Sequence, residues 1–168
     1  FTSVTYSNVY FREPESRADQ TRMMSIVTTG SETGYYVDVF RSRKERGGDK
    51  MHDYFYHNLG QTMTLTAADG TDLNLQPTEE LAFAGAHLYG YSYLYDKKVA
   101  ATGKDVKATF TIDMKDKGGD DIVMNLWMKG EPDRDVFTAL SPMTEGLSRT
   151  PGMPYNIKEQ PTLTFVVC

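Results

Sequence analysis

The chain of 168 residues has a single cysteine, Cys168, at its last position, so an intramolecular disulfide is excluded and thiols do not report the redox compartment. It has no excess of positive charge: a net charge of −5 argues against nucleic acid as a partner, because phosphate recognition needs a concentrated basic surface. Its apolar runs are too short to span a bilayer, which argues against a membrane segment. Helical periodicity is almost missing, since no window of eleven or more residues repeats its apolar positions at helical spacing with plausible caps. Serine nucleophile elbows, phosphate-binding glycine loops, paired zinc-finger cysteines and calcium loops do not occur. No complete active site can be read from the chain.

Strand signals are abundant. Val106, Ala108, Phe110, Ile112 and Met114 alternate with Lys107, Thr109, Thr111 and Asp113, the pattern of a strand with one buried and one wet face. Lys117-Gly-Gly-Asp120 then supplies a tight turn, and Ile122–Met128 is expected to return as a more buried strand carrying Trp127. Further strands are expected at 4–11, 22–28, 35–41, 52–57, 62–66, 89–95, 136–140 and Thr162–Val167. Their short, regular spacing predicts an all-β fold, an antiparallel β-sandwich with little helix. Residues 76–86 can hold one helical turn or an irregular excursion, and 141–155, with three prolines and two glycines, read as a long loop. The length suits one domain, 1–168. A start at Phe1 without an initiator methionine, and an end inside an apolar run, give the expectation of a fragment of a larger protein.

Chemistry concentrates in Gly34-Tyr-Tyr-Val-Asp-Val-Phe-Arg41, a Gly-Gly loop and His52-Asp-Tyr-Phe-Tyr-His57, which read as one hairpin. An acid between valines in a strand is costly to bury without a partner, and His52 or His57 is the nearest candidate for Asp38. A hydrogen-bonded structural cluster and a zinc site both account for such a trio, neutral imidazoles and a carboxylate being proper zinc ligands. Two histidines five apart on one strand have opposite parity, so only one of them faces Asp38 unless a bulge intervenes. His87 reads as structural or surface, Asp69-Gly70 and Asp120-Asp121 as turn residues, and the basic run 41–46 as a solvated loop. Eight of the eleven tyrosines lie between Tyr35 and Tyr95; they suit half-buried strands, and equally a sheet face that stacks on sugars.

The run Arg22-Met-Met-Ser-Ile-Val, Tyr36-Val-Asp-Val-Phe-Arg41, Gly47-Gly48 and His52-Asp-Tyr-Phe-Tyr-His57 resembles the β-sandwich domain that follows the helical toroid in heparinase II/III-like polysaccharide lyases. Gly90-Tyr-Ser-Tyr-Leu and the segment Ser141-Pro to Glu145-Gly-Leu are also similar to it. The resemblance implies an enzyme parent that cleaves acidic, uronic-acid-containing polysaccharides by β-elimination, a tyrosine or histidine taking the C5 proton. It also implies a partner α/α toroid domain, without which this chain is inactive, and a periplasmic or extracellular location. By the same resemblance Tyr54 or Tyr56 is the contributing tyrosine. Asp38 and His57, with His52 as the alternative, are zinc ligands, and Gln61 is the other residue for the ligand position. The family's upstream histidine has no counterpart here, so the zinc is expected in the full-length parent and not necessarily in this chain. A non-catalytic carbohydrate-binding or structural sandwich is the alternative reading.

Overall fold

A computed structural model describes residues 3–14, 17–44, 46–47, 52–82, 89–143, 152, 157 and 159–168. The chain gathers into two compact units, Phe1–His52 and Asp53–Cys168. The secondary structure is all-β with antiparallel ladders, as the alternation predicts. No described helix is long and apolar enough to cross a membrane.

The first unit is a three-stranded meander in the order β1 (Ser3–Arg12), β2 (Ala18–Thr28), β3 (Gly34–Lys44). The pairing runs without interruption from Ser3 opposite Thr28 to Arg12 opposite Asp19, and from Ala18 opposite Lys44 to Thr28 opposite Gly34. Gly34 sits against the Val27 carbonyl, where a Cβ would approach to 2.8 Å, so the β2–β3 turn requires glycine there. Much of the basic run 41–46 is strand, since Arg41, Ser42, Arg43 and Lys44 complete β3.

The second unit holds two sheets. Five strands run in the order β4 (Tyr54–Asn58), β11 (Thr162–Val167), β10 (Asp135–Ser141), β7 (Tyr95–Ala101), β6 (Gln76–Pro77), and three in the order β5 (Thr62–Ala67), β8 (Val106–Ile112), β9 (Ile122–Met128). Leu65, Val106, Ala108 and Phe110 of the smaller sheet share one core with Ala100, Val136, Leu163 and Phe165 of the larger, which makes this unit a sandwich. The β8–β9 hairpin forms as read, Ile112 pairing Ile122, with Gly118 in the left-handed region at φ 67°. Asp69 is a turn residue as read, its carboxylate accepting the Thr71 amide at 2.9 Å.

Four expectations need correction. β9 is an edge strand and not the more buried return: Trp127 is 58% exposed, on the face opposite Met124, Leu126 and Met128, which pack against the core. Residues 89–95 do not form one strand, since Tyr89–Tyr93 is a 3₁₀ turn and β7 begins at Tyr95. Of the two readings of 76–86, the helical turn is absent from the described part, since Gln76–Pro77 pairs with β7 and 78–82 are irregular; 83–86 lie outside the described residues. Finally, the hairpin joining 35–41 to 52–57 is not formed: β3 pairs with β2, whereas β4 pairs with the last strand, Tyr54 opposite Val167. His87, and all of the 141–155 loop except residues 141–143 and 152, lie outside the described residues.

Candidate functional site: an aromatic groove around His57

Strand β4 alternates its side chains between two destinations. Tyr56 turns inward, its ring 5.7 Å from that of Phe110 in the sandwich core. Phe55 and His57 point the other way. They line a groove of about 590 Å³ with Gly90, Tyr91, Tyr93, Leu94, Ser141 and Pro142, within the rough 300–1,000 Å³ range of small-ligand clefts.

Beneath it the larger sheet is buried on this face as well: Phe137, Ala139, Thr164 and Val166 are each at most 2% exposed. A buried threonine hydroxyl must find partners. Thr164, directly opposite His57 in the ladder, holds its Oγ1 2.9 Å from His57 Nδ1 and 2.7 Å from Ser141 Oγ. The result is a chain of three polar groups from the sheet interior to the groove. With Nδ1 engaged in that chain, Nε2 is the ring nitrogen presented to a ligand. Partial burial of the imidazole lowers its pKa from the ordinary 6.5, so the ring is neutral at neutral pH.

The 3₁₀ turn contributes the facing wall. Tyr91 meets Phe55 edge to face, with centroids 5.1 Å apart at 89°, and its hydroxyl donates a short hydrogen bond to the Asp53 carboxylate. Burial, and then Asp53, push the Tyr91 phenol well above its ordinary pKa. Phe55 also stacks with His57 at 6.2 Å and 26°. Tyr93 is 62% exposed at the rim, where an open ring can lie on a sugar face. Burial raises the Cys168 thiol far above its ordinary pKa, with the Asp53 carboxylate adding to the shift.

Of the residues picked out by resemblance, Asp38 and His52 belong to the first unit and Tyr54, Tyr56, His57 and Gln61 to the second. In the first unit Asp38 accepts Arg22 Nε at 3.0 Å and Nη2 at 2.6 Å, a two-point contact between adjacent strands. Gln61 clamps a turn in the second unit, accepting the Asp113 amide at 2.8 Å and donating to the Asp113 carbonyl at 3.3 Å. His52 is exposed in the segment before β4, and Tyr54 lies on the same side of β4 as the core-facing Tyr56. Among the described residues no three His, Cys, Asp or Glu side chains come together as a metal cage. No step of the proposed reaction passes through a metal. His57 is the predicted residue that does reach the groove. Tyr91, Tyr93, Thr164, Ser141 and Asp53 were missed: their signal was the tyrosine density of 89–95, but the pairing of β4 with β11 that assembles them is invisible locally.

No family profile and no solved structure matches the chain. A curated relative does: the endo-acting ulvan lyase of Formosa agariphila is 32% identical over 143 residues, 83% of this chain. The match spans 17% of the length of that enzyme. The chain is therefore a distant homologue of one part of a polysaccharide lyase.

Proposed function

We propose that this chain is a polysaccharide-engaging β domain of a lyase that cleaves a uronic-acid-containing polysaccharide by β-elimination, with ulvan the first substrate to test. The observation that carries this reading is the groove of the second unit, in which Phe55, Tyr91 and Tyr93 surround an imidazole tethered through Thr164 to Ser141. Aromatic rings pack on the apolar faces of sugars, and tyrosine and serine hydroxyls bond to sugar hydroxyls.

In β-elimination a base removes the C5 proton of the uronate, the electron pair forms the C4–C5 double bond, and the C4–oxygen bond breaks, the departing oxygen taking up a proton. Neutral His57 suits the base role through Nε2, and Thr164 holds the ring so that this nitrogen keeps its aim. Tyr91 does not suit it: its phenol keeps its proton and donates to Asp53, which makes it a positioned wall of the groove. Tyr54 and Tyr56, first choices by resemblance, give way to the tyrosines that line the groove, because Tyr56 packs on Phe110. Anchoring of the uronate carboxylate falls to the rest of the parent, for which a heparinase-like α/α toroid is the proposed partner. This chain is proposed to lack turnover alone and to work outside the cytoplasm, periplasmic or extracellular, where such polymers are met.

The test is turnover on ulvan by the full-length parent, followed as the absorbance of the unsaturated uronate product. His57→Gln is expected to lower kcat by about a hundredfold or more, the usual contribution of a positioned base. Full activity in that variant removes His57 from the reaction. Unchanged ulvan turnover by a parent from which 53–168 is deleted removes the groove as well.

A further inference from the structure

The first unit carries a second surface that the groove does not use. By the register of the meander, Arg12, Asp19 and Arg43 form one row across the three strands, and Tyr10, Thr21 and Arg41 form the next row on the same face. Beyond them on this face lie Tyr6 and Tyr35, 74% and 53% exposed. Three arginines and one carboxylate thus share this end of the face. Asp19 is already shared: it accepts the Tyr10 hydroxyl at 2.6 Å and stands 4.0 Å from Arg12 Nε. Arg12 keeps 55% of its side chain exposed, Tyr10 is 65% exposed, and Arg41 and Arg43 are exposed. A concentration of arginine is notable in a chain whose net charge is −5.

We infer that this face of the meander is a binding surface for an anionic polysaccharide, whose carboxylate or sulfate groups pair with Arg12, Arg41 and Arg43 while its sugar rings lie along Tyr10 and Tyr6. Strands stand about 4.8 Å apart and same-face residues on one strand about 7 Å apart, so the three arginines offer spaced charges on two adjacent rows to a repeating polymer. Guanidinium is the group suited to it, being planar, weakly hydrated and able to meet an oxyanion with two parallel hydrogen bonds. The flanking tyrosines add flat apolar area without adding charge. That the polyanion is a polysaccharide rests on the lyase reading above; the arrangement of the arginines does not.

The test is biolayer interferometry of the 168-residue chain on immobilised alginate, dextran sulfate and neutral dextran, which separate carboxylate from sulfate recognition and both from the bare sugar. The triple variant Arg12→Gln, Arg41→Gln, Arg43→Gln is expected to weaken binding to the preferred polyanion by about tenfold or more, the sum of three exposed ion pairs. Binding should also become less sensitive to salt. A matched variant, Lys98→Gln, Lys115→Gln, Lys129→Gln, removes the same charge from the second unit and is expected to bind nearly as the parent chain does. The Arg-to-Lys triple is expected to recover part of the loss, and unchanged far-ultraviolet circular dichroism checks the fold of each. Equal weakening in both Gln triples overturns the inference, as does tighter binding to single-stranded DNA than to either polyanion. If the arginine triple binds like the unaltered chain while His57→Gln in the full-length parent loses turnover, this surface fails and the groove stands. If the arginine triple loses binding while His57→Gln keeps full turnover, this surface stands and the groove fails.

Discussion

Replacing Thr164 with valine removes one oxygen and almost no volume, which isolates the polar chain under the groove. Thr164 is fully buried, and its hydroxyl is the shared partner of His57 Nδ1 at 2.9 Å and Ser141 Oγ at 2.7 Å. Two polar atoms therefore lose a partner at once. One of them belongs to a side chain at the groove edge that water can reach, so the full cost of two buried orphans does not apply. A loss of about 1–2 kcal/mol is expected, read as a shift in the urea midpoint at unchanged slope. The imidazole should respond too. A methyl in place of an oxygen that accepts from Nδ1–H disfavours the charged ring, so the His57 midpoint should fall below its already lowered value. Nuclear magnetic resonance of the histidine ring protons reads this directly, with His57→Gln assigning the signal. Thr164→Ser restores the oxygen and should return the titration toward that of the unaltered chain. A Thr164→Val variant with unaltered stability and an unaltered His57 titration would refute the reasoning.

The remaining expectations concern the second unit. Because burial depresses the His57 pKa below 6.5, the unfolded state binds the extra proton first as pH falls; stability contributed by the neutral ring is full above 6.5 and is lost as pH drops through the folded value. His57→Gln should flatten that part of a urea-midpoint series between about pH 8 and pH 5. Phe165→Ala removes a ring that is 0% exposed at the centre of the shared core and should cost about 3–5 kcal/mol by chemical denaturation. Tyr91→Phe deletes the hydroxyl that meets Asp53 and should cost about 1–2 kcal/mol while weakening ulvan-oligosaccharide binding in a calorimetric titration. Gly130→Ala would drive a Cβ into the Gly103 carbonyl and the Lys104 backbone, where neither neighbour can yield, so a loss of about 2 kcal/mol or more is expected from thermal unfolding.

What the sequence made legible was local. The alternation of Val106, Ala108 and Phe110 with polar neighbours, followed by Gly118 and Gly119, points to the β8–β9 hairpin by itself, and the structure builds it with Ile112 opposite Ile122. Long-range pairing left no such trace. β4 finds its partner in β11, more than a hundred residues away, and nothing within 34–57 distinguishes that from a return along β3. The tyrosines at 89, 91, 93 and 95 recur every second residue and so imitate a strand, yet Tyr89–Tyr93 closes as a 3₁₀ turn that places Tyr91 over Phe55. An acid between valines needs a partner, and Asp38 has one. The partner is Arg22 on the neighbouring strand, which a local reading confined to the supposed hairpin does not reach.

The central claim is that the groove around His57 meets the polysaccharide, and a titration of the isotopically labelled chain with ulvan oligosaccharides tests it most directly. Aromatic resonances of Phe55, His57, Tyr91 and Tyr93 and the Ser141 amide are expected to shift together and saturably with added oligosaccharide, while Tyr56 in the core stays still. Saturable shifts elsewhere in the second unit with those five groups unmoved, or no shifts at all, would contradict it.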